Sequence, residues 1–222
     1  MPATHSVAVV IEQGRTRCFA CAVDWPGWAR SAKGDEAAAL EALAGYAPRY
    51  SRALQRAGID PPRARGAADL DVVERIAGNA TTDFGAPSLV MAADRQPLSA
   101  AQARRLAGLM AAGWAELDAV AAASPASLRK GPRGGGRDRD AVVSHVVEAE
   151  RSYARKLDVR LTVAEWRDGG VELMRARLLD AVARSSDGSA PVERGWPPRY
   201  LVRRLAWHVL DHAWEIEDRA TP

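Results

Sequence analysis

Cysteine is scarce in this chain, and the two that occur lie in a pattern that restricts their role. Among 222 residues only Cys18 and Cys21 are cysteines, and they form a C-x-x-C pair inside a run that predicts a β-strand. Residues three apart on a strand point to opposite faces and lie roughly 10 Å apart, which is beyond the reach of a disulfide. Because no second C-x-x-C follows, the sequence argues against a redox pair, a zinc site built on cysteines and a disulfide scaffold.

The chain also lacks an excess of charge of one sign and long hydrophobic runs. Its 31 Lys and Arg residues against 28 Asp and Glu residues leave a net charge of +3, too little for a dedicated nucleic-acid-binding surface. No uncharged run approaches the roughly 18 residues of a membrane span, and the apolar stretch 7–11 is too short for a signal peptide. We therefore expect a cytoplasmic protein that binds neither nucleic acid nor membrane.

The amino-acid composition changes along the chain and predicts an α+β protein of two domains. A β-branched run at 7–11, the segment 15–23 that follows it across a glycine turn, and the valines and isoleucine of 72–76 predict strands. A helical period predicts a helix over 35–58, with Pro48 as a bend. Ala-, Leu- and Arg-rich helical periods fill the second half. We place a small α/β domain with its linker at 1–92 and a helical domain at 93–222.

The first of these domains resembles HicB-type proteins over a short stretch. Pro26 and Gly27 form a turn, a polar strand follows, and Glu36 and Ala37 open a helix that continues through 40–43. This order is similar to the small α/β fold of HicB-type antitoxins. The resemblance implies a fold rather than a function, because such residues mainly specify a turn and a core.

The second domain shows four amphipathic helical periods with short connections. The first begins at Ser99, which forms a capping box with Gln102, and the others cover 138–157, 162–182 and 197–216. The third also begins with a capping box, and the fourth begins at a Pro-Pro pair that suits a first helical turn. Together they predict an up-down four-helix bundle.

Histidine is rare, yet three of the four histidines fall on the inward faces of these helices. His208 and His212 are four residues apart, so both imidazoles can reach one metal ion from the same helical face. His145 lies one turn from both Val142 and Ala149 and faces the same interior. A single histidine on an apolar face is more often a hydrogen-bonded core residue than a ligand. Three such residues would need three separate polar partners, because an unsatisfied buried polar group costs about 1–3 kcal/mol.

The surroundings of these histidines resemble the DinB and YfiT-like superfamily, which is sometimes grouped with mycothiol-dependent maleylpyruvate isomerases. The resemblance rests on SHVVEAERSY around His145, on WHVLDHAWEIEDR around His208 and His212, and on the order of the four helices over 99–219. It implies a divalent metal ion, most often zinc or nickel, bound by the three histidines. It further implies a metal-dependent, thiol-using transferase or isomerase. His5, near the start of the chain, is expected to have no role.

Three carboxylates lie close to the histidines in sequence. Glu148, Asp211 and Glu215 are each able to hold a ligand imidazole by its second nitrogen or to act as a base. Glu215 is the best candidate for a catalytic residue, because it follows the histidine pair by three residues on the same side of the helix.

Two further features have open interpretations. The loop 129–137, RKGPRGGGR, offers arginines that would attract an anionic substrate, but it also suits a flexible linker. The tryptophans of the helices are expected in the core, and their spacing does not decide whether they also line a pocket. They are Trp114, Trp166, Trp207 and Trp214.

Taken together, the sequence predicts an enzyme that depends on a divalent metal and acts on a small molecule. The expected reaction is a transfer, isomerisation or hydrolysis at His145, His208 and His212, with a low-molecular-weight thiol as the preferred cosubstrate. The alternative is a non-enzymatic protein-interaction or regulatory module, in which the bundle supplies stability or forms a homodimer around a structural or vestigial metal site.

Overall fold

The computed structural model describes residues 6–130 and 136–220 and shows a mixed α+β fold. Its N-terminal part forms a four-stranded sheet in the order β3-β2-β1-β4. β1 pairs antiparallel with β2, β2 pairs antiparallel with β3, and β4 lies parallel to β1 with an irregularity between Val9 and Val10. The strands are β1 Val7–Gln13, β2 Arg17–Ala22, β3 Ala29–Lys33 and β4 Leu70–Ala77.

The strands predicted at 7–11, 15–23 and 72–76 are confirmed as β1, β2 and β4. The two cysteines of β2 are free and buried, and they pack into two different hydrophobic clusters, one on each side of the sheet. Burial raises the pKa of Cys18 to about 11 and that of Cys21 to about 12. The prediction of structural thiols is therefore confirmed.

The helix predicted over 35–58 is two helices, α1 Glu36–Gly45 and α2 Ala47–Arg56. Asp35 caps α1 by accepting a hydrogen bond from the backbone N–H of Ala38 at 3.0 Å. Pro48 lies in the first turn of α2, where its missing N–H removes no helical hydrogen bond. The chain therefore breaks at Tyr46 instead of bending, and a short helix α3, Ala80–Phe84, follows β4.

The C-terminal part is helical. It contains α4 Ala100–Ala123, α5 Arg139–Ala154, α6 Val163–Asp168, α7 Gly170–Val182 and α8 Pro198–Ala220. Both predicted capping boxes are present, at Ser99 with Gln102 and at Thr162 with Glu165. The helix predicted over 162–182 is divided at Gly169, and Gly170 has a φ of +48°, a conformation that glycine adopts without strain. α8 packs on α4 and α5, and α7 packs on the same two helices.

The two parts of the chain share buried surface. One hydrophobic cluster contains strand residues such as Val9 and helical residues such as Leu205, and α2 packs on α4. A short 3-10 helix, Ala92–Arg95, packs on α8. The domain boundary at 92/93 stays a prediction, and the structure adds that the two sides of it are in direct contact.

Within residues 6–130 and 136–220, one helix, α4, is long and apolar enough to cross a membrane by length and composition alone. However, 56% of its most apolar 18-residue window is buried inside the protein. Residues such as Met110 and Leu117 pack into the shared hydrophobic cluster. This burial is typical of a core helix.

Candidate metal centre

The structure brings the three predicted histidines together at the contact between α5 and α8. His208 and His212 lie one turn apart on α8, with ring centroids 4.6 Å apart. His145 faces them from α5, with its ring centroid 5.2 Å from that of His208 and 5.0 Å from that of His212. Each ring offers one nitrogen such that the three nitrogens lie within 4.8 Å of one another. The group can hold a metal ion.

The donor set and its burial both fit a divalent ion. Three nitrogens bound at 2.0–2.1 Å to a tetrahedral ion lie about 3.3 Å apart, so small side-chain rotations suffice to close the site. His208 is only 7% exposed, and its Nδ1 is buried with no hydrogen-bond partner in the described part of the chain. An unsatisfied buried polar atom is destabilising, and a metal ion among the rings would satisfy the imidazole that the protein leaves unpaired.

The electrostatics of the site favour the neutral form of His145 and His208. Burial, reinforced by the neighbouring His212 and His145, lowers the pKa of His208 to about 2. Burial also lowers the pKa of His145, again with contributions from His212 and from Arg137. Metal ions bind the neutral form of imidazole, so these two rings need no deprotonation at neutral pH before they can accept an ion.

Glu215 holds one of the three rings in place. Its Oε2 lies 2.7 Å from Nδ1 of His212, and its Oε1 accepts a hydrogen bond from Nη1 of Arg219 at 2.7 Å. The hydrogen bond from His212 is the largest cause that lowers the pKa of Glu215, so the carboxylate is ionised. With Nδ1 donating to Glu215, Nε2 of His212 carries the free lone pair. This contact makes Glu215 a positioning residue, and its catalytic role stays a prediction.

The other two carboxylates differ in their surroundings. Asp211 accepts a hydrogen bond from Nη1 of Arg30 at 2.6 Å, so it links α8 to β3 instead of holding an imidazole. Glu148 is exposed one turn after His145, and its charge favours the protonated form of that ring. In the described part of the chain Glu148 makes no hydrogen bond or ion pair with a side chain. Of the three carboxylates predicted near the histidines, Glu148 is therefore the one that is free to act as a base.

An aromatic wall with an arginine lies beside His208. The rings of Tyr153 and Trp207 are 5.9 and 6.1 Å from the His208 ring. The guanidinium of Arg204 lies 4.7 Å from the Trp207 ring and 5.9 Å from the Tyr153 ring. Arg204 also donates to the backbone oxygen of Pro87 at 3.2 Å. Arg204 is not among the residues predicted from the sequence, although its position one turn before His208 on the same helical face was a usable signal.

The glycine-arginine loop is described only in part, since residues 131–135, including Arg133, lie outside the described residues. Arg129 is fixed to the end of α8, because its N–H donates to the Arg219 oxygen at 2.9 Å and its own oxygen accepts from Arg219 Nε at 2.8 Å. Lys130 pairs with Asp138 at 3.0 Å. Arg137 lies close enough to lower the pKa of His145 and of His208. Within the described ends of the loop, Arg137 is thus the residue whose charge reaches the histidines.

Replacement of Glu215 tests its positioning role. We expect Glu215→Gln to weaken zinc affinity about 10- to 100-fold, because the amide no longer fixes the tautomer and orientation of His212. Competition with a chromophoric chelator measures this change. Glu148→Gln is the matched control, since it removes the same charge one turn from a histidine without contacting a ring, and we expect less than about threefold loss. Equal losses in the two variants would contradict the assignment.

Comparisons of the chain with protein-family models, with curated proteins and with solved structures found no match. The function is therefore argued from the geometry of the histidines and their neighbours.

Proposed function

We propose that the protein is an enzyme that binds a divalent metal, zinc or nickel, through His145, His208 and His212 and acts on a small molecule with a thiol cosubstrate. The observation that carries this proposal is the convergence of three imidazole nitrogens within 4.8 Å on two packed helices. In this proposal α4, α5, α7 and α8 form the up-down bundle of the DinB and YfiT-like superfamily, and the sheet is HicB-like.

The number of protein ligands supports a catalytic site over a structural one. Structural zinc sites usually have four protein ligands, whereas catalytic sites have three and keep a position for water or substrate. In the described part of the chain the cluster consists of the three histidines, with no fourth histidine, cysteine or carboxylate. Cys18 and Cys21 are buried in the sheet and have raised pKa values, so neither supplies the thiol.

The chain's own residues have separable roles in this proposal. A bound divalent ion supplies one property, a lowered pKa of a water or thiol held beside it. Glu215 orients His212, and both of its oxygens are engaged in doing so. Glu148 is the exposed carboxylate that takes up the proton released by the cosubstrate. Tyr153 and Trp207 form an apolar wall that limits water beside His208.

Cobalt substitution tests the proposal through thiol binding. We expect the Co²⁺-loaded protein to develop a thiolate-to-cobalt charge-transfer band in the near ultraviolet when N-acetylcysteine is added. A thiolate with an open coordination position beside three imidazoles produces such a band. N-acetylserine, which has a hydroxyl in place of the thiol, and the His212→Ala variant serve as controls and are expected to give no band.

The result also separates the two functional readings of the sequence. Cobalt that binds without any response to the thiol would favour the alternative, a protein-interaction or regulatory module with a structural or vestigial ion. A band of equal strength in the His212→Ala variant would show that the thiol binds cobalt elsewhere, and the proposed site would be wrong.

A further inference from the structure

A cavity lies beside the metal centre, on the side of the sheet. It has a volume of about 270 Å³ and lies between β2, β3, the end of α3 and α8. The register pairs Phe19 with Ser31, so these residues lie on one face of the sheet, and Arg17, two residues before Phe19, lies on the same face. Trp207 closes the cavity from α8 and directly precedes His208. The cavity and the histidines therefore share one wall.

The cavity contains an arginine whose charge is not neutralised. Nη1 of Arg17 donates to the neutral hydroxyl of Ser31 at 2.9 Å. Its Nε is buried and has no hydrogen-bond partner in the described part of the chain, and no described carboxylate lies within 4.0 Å of this guanidinium. Arg30, which also lines the cavity, differs because it is paired with Asp211 at 2.6 Å. A buried donor on an uncompensated cation is the arrangement that a carboxylate satisfies best.

Polar atoms form most of the rest of the cavity lining. Phe84 stands at its rim and is 89% exposed, which is unusual for a large apolar side chain beside a cavity. Trp207 is 5% exposed and is held edge-on by Phe19, with ring centroids 6.1 Å apart. Its ring lies 6.1 Å from that of His208. Phe84 can therefore contact a bound molecule, whereas Trp207 has little exposed surface and stands between the cavity and His208.

We infer that this cavity binds the carboxylate end of the substrate, and that the substrate is a small carboxylic acid. Arg17 forms the ion pair with the carboxylate, and Ser31 fixes the guanidinium. The placement of the reacting end beside the histidines rests on the proposed function, whereas the binding of the carboxylate by Arg17 does not. The sheet thereby completes a site whose metal ligands all come from the helical part.

Benzoate is the probe for this inference, with benzamide as its uncharged analogue. We expect the metal-free protein to bind benzoate at least tenfold more tightly than benzamide, as measured by calorimetric titration. We expect Arg17→Gln to lower the preference for benzoate over benzamide at least tenfold. The substitution deletes the charge and keeps a polar side chain of similar reach. Arg15→Gln is the matched control, since the Arg15 side chain is 93% exposed and the residue does not line the cavity.

A second measurement places the probe relative to the histidines. In the Co²⁺-loaded protein the paramagnetic ion should enhance the relaxation of the benzoate ring protons, more strongly for protons far from the carboxylate. Equal affinity for benzoate and benzamide, or equal effects of the two arginine variants, would overturn the inference. Benzoate that binds through Arg17 without relaxation by bound cobalt would also overturn it. A protein that binds no cobalt would refute the proposed function, while the metal-free titration would still decide the role of Arg17.

Discussion

Replacement of His208 by alanine is expected to abolish binding of divalent metal by this protein. The purified wild-type chain should contain about one equivalent of metal, and the variant should contain only background amounts. His208 is the most buried of the three histidines, and this burial, reinforced by His212 and His145, lowers its pKa to about 2. Removal of one of three ligands should weaken the affinity by more than about 100-fold, beyond the effect of losing a residue that only orients a ligand. Elemental mass spectrometry and chelator competition measure both quantities.

The chain offers a matched control for this experiment. His5 is the fourth histidine of the sequence, and His5→Ala is expected to leave the metal content unchanged. Because removing a buried ring can disturb folding, His212→Ala provides a second variant at a side chain that is 16% exposed. It should lose metal while keeping its helical circular dichroism. Metal retained by both site variants, or lost equally from His5→Ala, would contradict the three-histidine centre.

The histidine cluster could be predicted from the sequence because its determinants are local. A spacing of four residues places His208 and His212 on one helical face whatever the rest of the fold does. His145 lies within one turn of Val142 and Ala149, and this pattern alone assigns it to the inward face of α5. The strands β1, β2 and β4 were also predictable, since β1 is a β-branched run, β2 follows it across a glycine turn and β4 carries two valines and an isoleucine.

Other features depend on contacts between distant segments and could not be predicted in this way. The cavity at Arg17 exists because α8 packs against β2 and β3, and no periodicity in the sequence reports that contact. β3 is short and polar, so only the family resemblance suggested a strand there. The breaks at Tyr46 and Gly169 occur inside patterns that keep a helical period, and a period does not reveal where backbone hydrogen bonds are interrupted. The same limit applies to the buried salt bridge that joins the segment before α4 to α8.

Breaking that salt bridge, between Asp94 and Arg203, is expected to destabilise the whole protein. Both side chains are only 4% exposed, and Nη2 of Arg203 donates to Asp94 Oδ2 at 2.6 Å and to the Leu89 oxygen at 2.8 Å. Asp94→Ala leaves the Arg203 cation buried without a counter-charge, which typically costs 3–5 kcal/mol of unfolding free energy. Chemical denaturation followed by circular dichroism measures the loss. Asp140→Ala is the control, since Asp140 is 76% exposed beside Arg139, and we expect no measurable change.

The way in which Asp94→Ala unfolds also bears on the predicted boundary at 92/93. Asp94 lies in the segment that leads from the sheet to α4, and Arg203 lies in α8, so their pairing fastens this segment to the helical part. If the two parts form one cooperative unit, the variant should unfold in a single transition at lower denaturant concentration.

The double variant Asp94→Leu with Arg203→Met should regain most of the lost stability, because apolar residues of similar size remove both buried charges. A destabilisation no larger than that of Asp140→Ala would show that Arg203 finds another partner. A separate early transition confined to the sheet would show that the two parts fold independently, so that the cavity at Arg17 depends on their docking.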